Sequence, residues 1–322
     1  MYTTYTSVII PCYNEQEVIR ESYRRLTHVM RVNFEAYELL FINDGSKDKT
    51  LSILQELAQQ DPHLKVLSFS RNFGHQPAVS AGISQCAGDV AIIIDADLQD
   101  PPELIPDMVR LYQDKNCNVV YAVRKNRQGE TTFKKLTAKL FYRTIDYLSE
   151  VSLPLDTGDF RLIDRKVINA FNQLPERNKY IRGLISWVGF RQEPISYERN
   201  ERFAGETKYP LRKMLRFART SLLYFSNKPL RIASSLGVAA VVIGLLLSLW
   251  VLYVMVFKPS ELVHGWSSTL IIVVFFGGVQ MMTIGILGEY LSSIFNEIKG
   301  RPEFIIDDTV NISSKPLVSE PT

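Results

Sequence analysis

The stretch Asp89-Val90-Ala91-Ile92-Ile93-Ile94-Asp95-Ala96-Asp97-Leu98-Gln99-Asp100 runs from an unbroken apolar segment straight into a cluster of acids. An apolar run this short, bounded by polar residues and rich in β-branched side chains, predicts a strand buried on both faces. The same pattern recurs in TSVIIP from Thr6, YELLFI from Tyr37, LKVLSFS from Leu64 and NVVYAV from Asn118. Between these runs lie stretches of helical period, Glu17 to Arg31 and Leu51 to Gln60 among them. Apolar strands alternating with amphipathic helices predict an α/β domain with a parallel sheet covered on both faces. Ligands of such sheets bind at the carboxyl ends of the strands. The polar motifs fall there: PCYNE after the first run, NDGS after the second, DADLQD after the fourth.

The 322 residues carry 37 Lys+Arg against 34 Asp+Glu, a net charge of +3. That is too near neutral for the basic footprint of a nucleic-acid binder. Cys12, Cys86 and Cys117 are widely spaced with no C-x-x-C, which excludes a disulfide scaffold or zinc knuckle and fits a reducing compartment. The opening MYTTYTSVIIPCYNEQE has neither a basic n-region nor a long apolar h-region, so no signal peptide is expected.

Hydrophobicity is concentrated late in the chain. Ile232 to Phe257 and Trp266 to Gly288 are free of charge, and a bilayer core needs about 20 apolar residues in a helix. The intervening KPSELVHG can close a helical hairpin. Trp250, Tyr253, Trp266 and Tyr290 lie near the ends, as interfacial aromatics do, and Lys228, Arg231, Lys299 and Arg301 flank the pair. The positive-inside bias then puts both outer flanks and both termini in the cytoplasm, in a multi-pass protein of the inner (cytoplasmic) membrane. Arg212, Arg216 and Arg219 share one face of a helix over Tyr209 to Phe225, opposite Leu211, Met214, Leu215, Ala218, Leu222 and Phe225. A basic amphipathic helix just before a span reads as lying at the headgroups. Phe133 to Leu148, with Lys134, Lys135, Lys139 and Arg143, is open to that reading or to one as an ordinary surface helix. The expected organisation is a cytoplasmic catalytic domain over 1–208, an interfacial helix over 209–231, two transmembrane helices within 232–292 (about 232–257 and 266–288) and a cytoplasmic tail over 293–322. The tail is expected to be loose after Asp308.

In an extended strand Asp95 and Asp97 would point the same way. Two carboxylates held together call for a positive partner, and hard divalent cations take oxygen ligands, with Gln99 as a further donor. Arg124, Arg127 and the run Arg202-x-x-Gly205-x-Thr207-Lys208 supply positive charge where a phosphate monoester could dock. Arg contacts phosphate bidentately, Lys acts as a point charge, and Thr207 can donate a hydroxyl. His28, His63, His75 and His264 have no metal-ligand spacing. His75, next to Arg71-Asn72-Phe73-Gly74, is open to a donor contact or a plain loop role.

Taken in order and spacing, SVIIPCYNE, FINDGSKDKT, SRNFGHQPAVSAG and DADLQDPPE resemble a family 2 glycosyltransferase of the dolichol-phosphate-mannose-synthase-like branch. TGDFRLIDR, ERFAGETKYP and the trailing hairpin narrow the resemblance to the bacterial polyisoprenyl-phosphate glycosyltransferases, GtrB-type first and ArnC-type next. The resemblance spans about Ser7 to Arg301. It implies a GT-A fold, a UDP-sugar donor (UDP-glucose foremost), a Mg²⁺ or Mn²⁺ ion, and undecaprenyl or another polyprenyl phosphate as acceptor. It also implies inversion at the sugar and a homo-oligomer, a tetramer among the options. By the same resemblance Pro11, Tyr13, Asn14, Glu15 and Asp44 hold the nucleotide and Asp95 sits beside it. Asp97 and Gln99 match the metal ligands, with Asp97 also part of the catalytic set, and Asp159 and Arg161 match the acceptor-side catalytic motif. Asn43 departs from the family's usual DDGS. The segment Asn43-Asp44-Gly45-Ser46 can also be read as a helix N-terminus capped by Asp44 or Ser46. A lipid phosphate, with a second pKa of about 6, reaches the reaction already largely deprotonated. Asp159 is therefore open to roles other than a base, including orienting the sugar or a basic residue, or simply pairing with Arg161.

The alternative enzyme reading is transfer of a modified aminoarabinose or another hexose to the same carrier. A catalytically silent scaffold would keep the fold and lose its acids, yet Asp95, Asp97, Gln99, Asp159 and Arg202 are all present. A phosphohydrolase would need a richer metal cluster than one DxD. The Q-x-x-R-W signature of a processive synthase is absent around Trp187.

Overall fold

The computed structural model describes residues 1–124, 157–177, 179–198, 228–257 and 265–312, with some side chains in the last two helices left out. Arg127, Arg202, Thr207, Lys208 and both amphipathic segments, over 133–148 and 209–227, lie outside the described residues. The chain forms two compact units.

The first unit is built on one eight-stranded sheet. Its strands are β1 (Thr6–Cys12), β2 (Tyr37–Asn43), β3 (Leu64–Phe69), β4 (Val90–Ile93), β5 (Val119–Arg124), β6 (Thr157–Asp164), β7 (Gln192–Tyr197) and β8 (Ile306–Val310). They are ordered β7-β5-β6-β4-β1-β2-β3-β8. β1 runs parallel to β2 and β4, β2 to β3, and β5 to β7. β6 is antiparallel to both neighbours, and β8 is antiparallel to β3. Every residue of β1 and β2 is buried, as a strand covered on both faces requires.

Helices α1 (Ile19–Asn33), α2 (Thr50–Gln60), α3 (His75–Gln85), α4 (Ile105–Lys115), α5 (Arg165–Asn172) and α6 (Ile181–Trp187) complete the described part of the unit. α1 buries Ile19, Leu26, Val29 and Met30, one stripe at helical spacing, and its charges stay outside. α3 sits especially close to the sheet, because a Cβ on Gly82 would come within 2.2 Å of Ile9 Cγ2. From β1 the chain steps outward to β2 and β3 on one side, then returns to place β4 on the other. That reversal creates a crevice between the carboxyl ends of β1 and β4, the position where such sheets bind ligands.

Three expectations change. β4 ends at Ile93, so Asp95-Ala96-Asp97 lies in a turn and strand alternation does not set the direction of its acids. The tail is not loose from Asp308: Thr309 and Val310 belong to β8, and Asn311 Nδ2 donates to the carbonyls of Ala58 and Leu64 at 2.8 and 2.9 Å. Neither Asp44 nor Ser46 caps α2, whose first turn is approached by Asp48 Oδ1, accepting from Thr50 N–H at 3.0 Å.

The described residues of the second unit are two helices, α7 (Lys228–Phe257, 30 residues) and α8 (Trp266–Ile298, 33 residues), which pack against each other. Among the described residues, no helix is long and apolar enough to cross a membrane.

Candidate active site

The loops at the carboxyl edge interlock before any ligand is considered. Asn14 takes φ +53°, a left-handed conformation that asparagine tolerates. Its N–H donates to Ser46 Oγ at 3.0 Å, and its Oδ1 accepts from Lys47 N–H at 2.8 Å. Glu15 N–H donates to Thr50 Oγ1 at 2.9 Å. Pro11 lies opposite Ile42 in the β1–β2 register, with Tyr13 half-buried just beyond. Asn43, in the place of the family's first acid, donates from Nδ2 to Ser68 Oγ at 2.9 Å.

Asp44 is turned inward. It is 3% exposed and accepts from Asn72 Nδ2 at 2.8 Å, Phe73 N–H at 2.7 Å and Gly74 N–H at 3.0 Å. Burial raises its pKa, against the lowering effect of the Phe73 and Gly74 N–H groups. Gly45 makes the approach possible: it has φ +61°, and a Cβ there would come within 2.3 Å of the Arg71 backbone. Asp44 therefore fixes the loop leading into α3, whose first residue is His75.

The turn after β4 carries the next group. Leu98 adopts φ +59°, uncommon for its type, and Asp97 Oδ1 accepts from Gln99 N–H at 3.1 Å. Asp97 is buried, while Asp95 and Gln99 are half-buried. Asp100 accepts a hydrogen bond from the Tyr197 hydroxyl, which in turn accepts from Arg124 Nε at 3.3 Å. Burial first, then Asp100, push the Tyr197 phenol up to about 12. The Arg124 guanidinium lies against Gly158, where a Cβ would meet its Nη2 at 3.0 Å, so Arg124 borders the Asp159 segment.

Asp159, on β6, has both oxygens engaged. Arg182 Nε donates to Oδ1 at 2.6 Å and Arg182 Nη2 to Oδ2 at 3.0 Å, a bidentate pair. His75 Nε2 lies 3.2 Å from the same Oδ2 and 3.7 Å from Asp95 Oδ1. Burial would raise the Asp159 pKa, but Arg182 and His75 outweigh it and hold the carboxyl well below the usual range. Burial opposes protonation of His75, yet Asp159 and Asp95 raise its pKa to about 9. Burial also raises Asp95 to about 6, with His75 pulling the other way. At neutral pH this is a carboxylate–imidazolium–carboxylate chain, and a carboxylate so thoroughly paired is a poor proton acceptor.

Arg161 does not form the pair with Asp159 that sequence proximity suggests. It is 4% exposed, its Nη2 donates to Gly158 O at 3.0 Å, and its Nε has no hydrogen-bond partner among the described residues. Burial lowers its pKa to about 10, with Asp159 partly restoring it. The residue that does pair with Asp159 is Arg182, 23 positions on, in a helix start that carries no motif. His75 had a signal, its place in the SRNFGHQ loop, but no partner could be read from sequence.

The family model described as glycosyl transferase family 2 matches residues 7–171. An uncharacterized glycosyltransferase of Bacillus subtilis (strain 168), YkcC, is 48% identical over 97% of this chain and 96% of its own length. One from Synechocystis sp., sll0501, is 42% identical over 97% of each. The bactoprenol glucosyl transferase of Shigella phage SfII is 39% identical over 93% of this chain and 96% of that one. Among solved structures, the mannosyltransferase PcManGT from Pyrobaculum calidifontis resembles the chain loosely, with a TM-score of 0.48 at 16% identity over 90% of this chain and 88% of that one. With a family model covering more than half of its residues and relatives matching along nearly its whole length, this chain is an enzyme that belongs to glycosyl transferase family 2.

Proposed function

We propose that the enzyme transfers one sugar, glucose from UDP-glucose, to the phosphate of undecaprenyl or another polyprenyl phosphate, with inversion. The observation that carries the reading is the convergence of two carboxylates at the carboxyl end of β4: Asp95 just after that strand and Asp159 on the neighbouring β6, both within 3.7 Å of one imidazole nitrogen. The near full-length similarity to bactoprenol glucosyl transferases supports the choice of acceptor and sugar.

A phosphate oxygen of the acceptor attacks the anomeric carbon, and the bond from that carbon to the diphosphate oxygen breaks, releasing UDP. The acceptor needs little deprotonation, so Asp159 serves as the anchor of Arg182 and His75. Arg161 and Arg124 add positive charge beside that pair, where two phosphorylated substrates meet. Pro11, Tyr13, Asn14 and Glu15 line the nucleotide side, and Asp44 supports it from beneath.

Asp97 and Gln99 would hold a divalent ion, Mg²⁺ or Mn²⁺. The donor set fits, because it is all hard oxygen. Among the described residues no group of three or more His, Cys, Asp or Glu forms a cage, which suits an ion held by one or two protein oxygens together with substrate phosphates. When bound, it supplies Lewis-acid charge to the leaving diphosphate.

The two long helices are read as membrane spans, at about 1.5 Å of rise per residue. Support comes from their charge-free runs and from large apolar side chains that stand exposed, Leu245, Leu246, Trp250, Phe275, Met281 and Phe295 among them. The positive-inside bias supports a cytoplasmic catalytic unit at the inner membrane, and the family resemblance supports a homo-oligomer.

The test is transfer of labelled sugar from a panel of nucleotide sugars to undecaprenyl phosphate by detergent-purified enzyme. Lipid-phase label from UDP-glucose, abolished by EDTA and reduced at least about 10³-fold in Asp97→Ala, is the expected result. Nucleotide binding without transfer from any donor would overturn it.

A further inference from the structure

The dipeptide His75-Gln76 opens α3 at the point where three other segments meet. His75 Nε2 faces Asp159 Oδ2 at 3.2 Å and Asp95 Oδ1 at 3.7 Å. Gln76 Oε1 accepts from Ile181 N–H at 2.9 Å, which docks the first turn of α6 beside Arg182. Arg182 then closes on Asp159, and its Nη1 donates to Thr157 O at 3.1 Å. The base of α3 is itself held, because Asp44 accepts from Phe73 and Gly74 N–H immediately ahead of it. One helix start therefore touches the acid of the donor-side turn, the acid of β6 and the segment that carries the arginine.

We infer that His75 is a positioning residue for the transfer: its imidazole sets the spacing between Asp95 and Asp159, and Gln76 holds Arg182 in register with them. The inference rests on the transferase reading above and adds to it a residue that acts through the two acids. Two carboxylates this close repel unless a cation lies between them, and the half-buried imidazole placed between them is what keeps them at a fixed separation. Arg182 cannot take over that task, since its fork is already committed to Asp159 and Thr157. Loss of the bridge leaves both acids present and lets them move apart. Misplacement of reacting groups by about 1 Å can cost on the order of 10²-fold in rate while ground-state binding survives.

The experiment compares wild type with His75→Ala, His75→Gln and Gln76→Ala in the transfer assay, alongside UDP affinity by calorimetry. Expected for His75→Ala is a fall in kcat of about 10²-fold, with donor KM and UDP affinity within about threefold of wild type. His75→Gln keeps N–H donors for Asp159 but places no positive charge between the two acids; it should recover about tenfold over His75→Ala and remain about tenfold below wild type. Gln76→Ala should lower kcat less than His75→Ala, again without a change in UDP affinity. Wild-type kcat in His75→Gln overturns the inference, and that variant carries the test if His75→Ala does not fold. A parallel loss of UDP affinity also overturns it, since that marks a donor-binding role. An active wild type with unaffected variants sinks this inference alone, whereas a wild type that transfers nothing overturns it together with the transferase reading.

Discussion

Asp159 shows how far a residue's chemistry depends on partners that the sequence does not reveal. Its place in TGDFR is legible as a functional motif, but the motif alone leaves a base, an anchor and a simple pair with Arg161 equally open. The geometry favours the anchor, through a guanidinium 23 residues away and an imidazole 84 residues away. Removing Arg182 would leave a mostly buried carboxylate with only His75, so Arg182→Ala should lower unfolding free energy by about 2–4 kcal/mol. Chemical denaturation measures this, and a change below about 0.5 kcal/mol would show that the pair contributes nothing. Arg182→Lys should restore little, because an ammonium cannot reproduce the bidentate contact. Asp44 was equally legible as an important acid, which the family resemblance sets against the nucleotide. The structure turns it to three donors of the loop before α3, a contact formed by chain crossing and not by local pattern. Asp44→Ala should therefore cost about 2–3 kcal/mol of stability, read by the same measurement.

At the scale of elements, β1 to β5 were readable because strands buried on both faces are continuous apolar runs. β6 was not, since Asp159 and Arg161 interrupt it, and β8 was not, since Ile306-Asp307-Asp308-Thr309-Val310 is acidic and its partner β3 lies some 240 residues earlier in the chain. Exposed edge strands tolerate such composition, and only tertiary pairing identifies them. What joins the strands at their amino ends is a buried acid, Glu38. It accepts from Ser7 Oγ at 2.5 Å on β1, from Lys65 Nζ at 2.5 Å on β3 and from Ala87 N–H at 2.7 Å before β4. Burial would raise the pKa of Glu38, but these donors together with the Lys65 charge hold it below the usual value of 4.5. A depressed carboxylate stabilises the fold above its unfolded pKa, and that contribution is lost as pH falls through the folded value. Glu38→Gln should thus lower stability at pH 7 by about 2–3 kcal/mol and flatten the loss of stability below pH 4.5. An acid limb identical to wild type would show that Glu38 does not drive it. The β8 strap makes a separate prediction. Asn311, at φ +59°, satisfies carbonyls of Ala58 and Leu64, so Asn311→Ala should cost about 1–2 kcal/mol.

At the scale of the whole molecule, the exposed apolar faces of the charge-free helices bear on where those helices reside. A soluble protein rarely exposes large contiguous apolar patches, and patches of that kind mark contact with a partner or a membrane. Along α7 and α8 exposed apolar side chains recur over both lengths, from Leu236 to Phe257 and from Ile272 to Ile298. The basic residues fall outside the charge-free runs, with Lys228 and Arg231 before the first and Lys299 and Arg301 after the second. A hairpin inserted from the cytoplasm would put Lys258 to Gly265 on the far side and bring the chain back to form β8 on the near side. The three native cysteines are buried, so an engineered thiol can report topology without first removing them. In intact cells expressing the protein, Ser260→Cys should react with a membrane-impermeant maleimide. Thr309→Cys should react only after lysis, because β8 belongs with the catalytic sheet. If Ser260→Cys is likewise protected until lysis, the helices do not cross. The polyprenyl phosphate would then have to be reached by a surface-bound enzyme, and the exposed apolar faces would have to be covered by another protein surface.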